Sequence, residues 1–283
     1  MYKKYYRLTK PGIIYGNSIT LIAGFLYASK GHINFTLLIY TLVGVSLVIA
    51  SACVFNNFFD RRVDKLMNRT KQRELVTGSV PIKNAIYFGS IIGVVGFLIL
   101  YFLVNNIVFY LGLLGFIDYI ILYGISKRQS VYSTLIGSFS GATPITAGYI
   151  AVTGQINSEA IILFLILMFW QMPHFYSISL FRLKDYKSAK LKVLPLIKGI
   201  KTTKYHMLFF VILFSLSIFL LGNTGNLSVI YMIIMLVVCL VWLLISLYGF
   251  KTSNVTSWAR KYFYYSLIIL LIFSVLISIN QWI

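Results

Sequence analysis

Nine separate runs of apolar residues dominate this chain, at about 12–29, 35–55, 85–104, 107–125, 133–152, 160–181, 205–221, 226–248 and 262–282. Most have the roughly 20 residues a helix needs to cross a bilayer. Hydrocarbon offers a backbone no water to bond, so each such run is expected to satisfy its own N–H and C=O groups as a helix. The fold class that follows is all-α: a polytopic membrane protein of nine transmembrane helices. Composition excludes the soluble alternative, since 59% hydrophobic and 11% charged residues leave too little polar surface for water. The connections at 105–106 and 222–225 are so short that the helices they join must be antiparallel neighbours.

Lysine and arginine set the expected direction. With the N-terminus in the cytoplasm, 4 basic residues precede helix 1, 7 lie between helices 2 and 3, and 2 between helices 4 and 5. A further 8 lie between helices 6 and 7 and 3 between helices 8 and 9, so 24 of the 25 fall on one side and only Lys30 on the other. Cytoplasmic loops carry such an excess, which places the C-terminus in the periplasm. The formal charge of +19 is then a matter of membrane topology, and nucleic acid is not expected as a partner. The basic start and first apolar run imitate a signal peptide, but no small-residue cleavage site closes the run and eight more spans follow. It reads as an uncleaved first helix. Cys53 and Cys239 each lie inside an apolar run, which supports neither a disulfide framework nor a cysteine metal cluster. Two long loops, at about 58–84 and 182–204, each open with a charged stretch containing Asp. They suggest a weak four-helix repeat, helices 1–4 and 5–8 with helix 9 added, inside a single domain spanning 1–283.

The chemistry concentrates at the first of these loops. Read as a helix, Asn56, Asp60, Asp64 and Asn68 recur every four residues and so share one face. Two carboxylates flanked by amide oxygens suit Mg2+, a hard cation that takes one or two protein carboxylates and leaves positions for phosphate oxygens. Arg61, Arg62, Lys65, Arg69, Lys71 and Arg73 surround that face. A cation site ringed by positive groups points to diphosphate. The second loop offers Asp185 beside Arg182, Lys184 and Lys187, with Ala189 where a second carboxylate would fall. Tyr123 and Lys127, one turn apart with Arg128 next, can either aim a hydroxyl and an ammonium at the same phosphate or anchor a helix at the interface.

These motifs resemble the UbiA superfamily of intramembrane aromatic prenyltransferases, and within it the protohaem IX farnesyltransferase branch. The resemblance spans essentially the whole chain. It is carried by Thr9-Lys-Pro-Gly12, Asn56-x-x-x-Asp60-x-x-x-Asp64 and Tyr123-x-x-x-Lys127, and by the run Ser138-x-x-Gly141-x-x-Pro144-x-x-x-Gly148-Tyr149. Trp170-Gln-Met-Pro-His174-Phe175 and Phe181-Arg182-x-x-Asp185-Tyr186, ahead of Pro195, complete it. The tryptophan-to-histidine element and the single-Asp second motif point to the haem branch.

The resemblance implies farnesyl diphosphate held through Mg2+ on Asn56, Asp60, Asp64 and Asp185, with basic residues steadying the departing diphosphate. Among those bases and their neighbours it places Arg61, Arg69, Lys71, Arg73, Lys127, Arg128 and Arg182, with Tyr123, and it puts Tyr149 among the aromatics of the π-rich wall that the allylic cation needs. It implies haem b as acceptor, attacked through a vinyl group that gains a hydroxyl from water. The setting it implies is the inner membrane of a bacterium, with the site toward the cytoplasm and a haem A synthase or terminal oxidase assembly as candidate partner. His174, after Pro173 in helix 6, is a candidate axial ligand, propionate partner or general base, and equally a structural histidine. His206 can meet haem or phosphate. Asp118, near the centre of helix 4, belongs to none of these motifs. The rival readings are a prenyltransferase with a quinone-precursor acceptor and a cation-coupled transporter. Charge gathered at one face, and not spread through the bilayer depth, disfavours transport.

Overall fold

The computed structural model describes residues 2–224 and 227–282. Gly225, at the end of the expected 222–225 connection, lies outside the described residues, as do residues 1 and 283 at the limits of the expected domain. Among the described residues there is no strand, and nine helices are long and apolar enough to cross a membrane. They are α1 Pro11–Ser29, α2 Phe35–Asp64, α3 Ile82–Val104, α4 Asn106–Gln129, α5 Ser133–Thr153, α6 Ser158–Phe181, α7 Gly199–Thr224, α8 Val229–Tyr248 and α9 Val255–Trp282. Exposed apolar side chains such as Ile91, Phe102, Leu244 and Leu271 coat the bundle, the surface a lipid environment calls for.

Several helices outrun their apolar segments. α2 continues past residue 55 to Asp64, α7 starts at Gly199 and α9 at Val255. Hydrocarbon thickness limits where apolar residues must stand, but not where backbone hydrogen bonding stops. Lysine and arginine stems lie along a helix while their charged ends reach water, so the helices run on into the basic segments. Arg260 and Lys261, expected in a loop, therefore stand within α9.

Close helix contacts explain a run that the sequence presents as a motif. A Cβ at Gly148 of α5 would strike the carbonyl oxygen of Leu21 in α1, and one at Gly24 of α1 would strike that of Ile145. At Gly141 it would strike the side-chain oxygen of Gln171 in α6. Between helices in lipid the attraction is close packing, which small residues permit. Pro144 cannot donate to the carbonyl of Ser140 one turn earlier, and Thr143 Oγ1 supplies that bond at 2.8 Å. α3 approaches α2 in the same way, with Ser51 Oγ donating to the carbonyl of Gly89 at 2.7 Å. Phe25, Ile145, Ile166, Phe214 and Trp242 fill the enclosed core.

Alternation of the helices brings the ends of α2, α4, α6 and α8 together with the starts of the odd-numbered helices. Contacts between Lys10 and Asn56, Lys127 and Asp60, and Ser188 and Leu66 join them there. The opposite end is closed by Asn105 Nδ2 donating to Ile150 O at 3.2 Å and Ser228 N donating to Asn280 Oδ1 at 2.8 Å.

Candidate active site

The unbroken course of α2 to Asp64 puts Asn56, Asp60 and Asp64 on one face, and all three are buried. Each meets a nitrogen cation from a different segment. Lys10 Nζ donates to Asn56 Oδ1 at 2.6 Å, Lys127 Nζ pairs with Asp60 Oδ2, and Arg73 Nη1 pairs with Asp64 Oδ2 at 2.6 Å. Arg128 adds a longer contact to Asp60 Oδ1 at 3.5 Å and anchors on Phe59 O at 2.8 Å. Asn68 does not continue the face. The helix closes at Asp64, and Asn68 sits in the following turns, accepting from Lys71 Nζ at 3.0 Å. That turn folds back because Thr70 Oγ1 donates to the carbonyl of Asp64 at 2.9 Å, which delivers Arg73 to the Asp64 carboxylate.

Lys10 owes its position to backbone geometry. It occupies the left-handed region at φ 53° immediately before Pro11, which starts α1, so the chain bends and sends the ammonium back over α2. Asn57 Nδ2 donates to Leu8 O at 2.9 Å and fixes the same segment. Burial pushes the Lys10 ammonium down to about 8, against the opposing pull of Cys53 and of the two carboxylates.

The expected basic ring is only partly realised. Arg73, Lys127 and Arg128 face the carboxylates, whereas Arg61 turns back onto its own helix, donating to Phe58 O at 2.8 Å and covering the Phe58 ring. Lys71 is occupied by Asn68, and Arg69 is exposed. Tyr123 stacks on Tyr119 at 5.8 Å beneath the Lys127 ammonium, on a surface that Gly137 keeps open.

Asp185 is buried in the short helix Leu183–Ser188. Its segment is tied to the first loop by Ser188 Oγ donating to Leu66 O at 2.9 Å. Among the described residues its carboxylate forms no ion pair, and no three His, Cys, Asp or Glu side chains converge as a metal cluster. The fold thus brings together Asn56, Asp60 and Asp64 but does not gather Asp185 with them at metal-binding spacing. Burial pushes the neighbouring Tyr186 phenol up, partly offset by Arg69.

Two expected site residues lie elsewhere. Tyr149 is near the far end of α5, donating to Glu159 Oε2 at 2.7 Å and accepting from Asn157 Nδ2 at 2.9 Å. Sixteen residues separate it from the start of α5 at Ser133, roughly 24 Å at 1.5 Å per residue. It belongs to the opposite end. His174 is buried between α6 and α9, with Nδ1 2.8 Å from Ser266 Oγ and its ring stacked on Trp170 at 4.6 Å. His206 meets Tyr176 edge-on at 6.1 Å. Asp118 accepts from the backbone N–H of Ser140 at 3.2 Å, where a π-helical turn interrupts α4.

The UbiA prenyltransferase family model matches residues 17–268. The chain belongs to the UbiA prenyltransferase family. A protein named Protoheme IX farnesyltransferase from Yersinia pseudotuberculosis is 47% identical over 281 residues, covering 99% of this chain and 95% of its own. One of the same name from Photorhabdus laumondii is also 47% identical, covering 99% and 96%. Of the solved folds, a digeranylgeranylglyceryl phosphate synthase superposes with a TM-score of 0.83 at 20% identity, covering 99% and 98%. A UbiA homolog from Archaeoglobus fulgidus, bound to GPP and Mg2+, superposes with 0.70 at 14% identity, covering 97% and 99%. At these identities the superpositions establish the fold. Family and relatives together make the chain a prenyltransferase of the membrane.

Lys10 is the site residue to which the motifs assign no role. Its signal is a lysine directly before Pro-Gly at the start of a membrane helix, which bends the chain over the site.

Proposed function

We propose that this UbiA prenyltransferase transfers a farnesyl group from farnesyl diphosphate to a vinyl group of haem b, releasing diphosphate and adding water to give haem O. The observation that carries this reading is 47% identity, over 99% of the chain, to a protein named Protoheme IX farnesyltransferase. The motif-bearing end faces the cytoplasm of a bacterial inner membrane in this reading, because 24 of 25 basic residues lie there.

The donor set at the end of α2 fits Mg2+. It is composed of oxygens alone, buried, and already met by positive groups at each member. Asn56, Asp60 and Asp64 would hold the ion, while Asp185 on the second loop stands apart from that set. When bound, Mg2+ supplies Lewis-acid stabilisation of charge on diphosphate.

The chain's own residues do the rest. Lys127 and Arg73 neutralise the Asp60 and Asp64 carboxylates that the cation would take, and Lys10 donates to the Asn56 amide oxygen beside them. With those oxygens given over to a bound ion, the three cations would meet the diphosphate oxygens and stabilise the negative charge that grows as the allylic C–O bond lengthens. Tyr123, beneath Lys127, keeps that ammonium aimed inward. Burial excludes water from the allylic cation until the porphyrin vinyl group has attacked.

The test is an assay of purified protein with haem b, farnesyl diphosphate and Mg2+, reading pigments by chromatography and mass. A product of haem O mass that disappears with EDTA supports the reading. Prenylation of a quinone-ring precursor in place of haem would refute the acceptor while keeping the diphosphate site.

A further inference from the structure

Phe181, the last residue of α6, is flanked by two guanidiniums. Arg182 Cζ lies 5.6 Å from its ring centroid and Arg260 Cζ, from α9, lies 6.0 Å away. Neither arginine takes part in an ion pair among the described residues, where Glu74, Asp64 and Asp60 pair with Arg7, Arg73, Lys127 and Arg128, and Asp185, three positions from Arg182, pairs with neither arginine. The fold therefore brings two like charges, one just past the end of α6 and one on α9, to a single ring, and neither is ion-paired among the described residues.

From that ring a line of aromatic contacts runs into the bundle. Phe181 meets Phe263 at 5.7 Å, and Phe263 meets His174 at 4.8 Å. The imidazole also stacks at 4.6 Å on Trp170, whose Nε1 donates to Ser266 O at 2.8 Å. Proton accounting favours one tautomer of His174. Ser266 has one hydroxyl proton and donates it to Phe263 O at 2.6 Å. With that proton so used it accepts from His174 at 2.8 Å, the arrangement in which Nδ1 carries the hydrogen and Nε2 keeps its lone pair. Among the described residues Nε2 meets no hydrogen-bond partner, and a neutral imidazole oriented through Nδ1–H is the form that ligates metals.

We propose that Arg182 and Arg260 clamp the two carboxylates of the porphyrin acceptor, which lies along Phe181 and Phe263 with its iron toward His174 Nε2. This rests on the haem reading above. Seven residues of α6 separate His174 from Phe181, about 10 Å of helix, the scale of a porphyrin from its centre to its acid side chains. Planar guanidinium forks match carboxylates in a way lysine does not. Arg260 thereby gains a role in acceptor selection, and the acceptor subsite on α6 and α9 is distinct from the oxygen stripe on α2.

The experiment titrates haem b and its dimethyl ester into the protein in nanodiscs of neutral lipid, without farnesyl diphosphate, following the haem absorbance. The proteins are wild type, R182Q/R260Q and R182K/R260K, with farnesyl diphosphate binding of R260Q as the check on folding. Wild type is expected to favour the free acid by about 100-fold, roughly tenfold for each guanidinium. The glutamine pair removes that preference, and the lysine pair restores part of it. If the glutamine pair keeps the preference, or if wild type binds acid and ester equally, the clamp is refuted, the arginines serve lipid headgroups, and the haem reading stands. If wild type binds neither form, the haem reading fails and the clamp with it.

Discussion

Replacing Asp60 by asparagine removes one negative charge and almost no volume, and the structure predicts two separable effects. Asp60 and Lys127 have side chains only 11% exposed, so the pair is poorly solvated. Removing one member of a buried pair costs about 3–5 kcal/mol because the other charge remains. Arg128 is 47% exposed and the substituted amide would still accept a hydrogen bond, so the expected loss lies nearer about 2–3 kcal/mol. The second effect is catalytic. If the carboxylate holds the cation that stabilises diphosphate, its loss costs about 4 kcal/mol of transition-state stabilisation, roughly a thousandfold in kcat/KM. D60N/K127Q tells the two apart, since neutralising Lys127 as well relieves the uncompensated charge. Thermal unfolding in detergent should recover most of its midpoint in the double variant, while haem O formation, read by chromatography, stays at least about a thousandfold down. Activity that returns along with stability would refute the argument and reduce Asp60 to a structural anchor for α4.

Other expectations follow from particular contacts. Tyr149→Phe should leave turnover unchanged and cost about 1 kcal/mol of stability through the lost bond to Glu159. A large fall in turnover would return Tyr149 to the site. Gly148→Ala should destabilise by about 1–3 kcal/mol because the new methyl meets the Leu21 carbonyl; an unchanged melting temperature would mean that α1 and α5 separate freely. His174→Ala should weaken haem b binding more than farnesyl diphosphate binding, measured by separate titrations. Equal effects on both would mark the ring as packing between Trp170 and Phe263 only.

Much of the fold is legible because lipid imposes a simple rule on length and polarity, and each apolar run becomes a helix. What the runs do not show is where helices end, since Arg260 and Lys261 continue α9 with their charged tips in water. The α2 oxygen stripe is legible from its four-residue spacing up to Asp64. It fails at Asn68, where Thr70 folds the chain back, an interaction no periodicity encodes. The Gly148-Tyr149 regularity also reflects the contact of α5 with α1, and only the packed bundle shows Tyr149 bonded to Glu159 and Asn157, away from the α2 stripe. Lys10 and Arg260 escape a sequence reading for a related reason. Each acts across helices distant in sequence, so only the packed bundle shows what its charge meets.

The seam between α1 and α5 also constrains how the protein is made. Gly24 and Gly148 lie 124 positions apart, so at ~5–20 residues per second of synthesis roughly 6–25 s pass between them. Throughout that interval α1 is in the bilayer with its glycine face unmatched. Three further helices have to insert before its partner arrives. Biogenesis therefore requires the first helix to wait in lipid, held by the membrane insertion machinery or by transient neighbours, and a variant that lets it settle early against α2 or α3 would lose protein by degradation before any enzyme is formed.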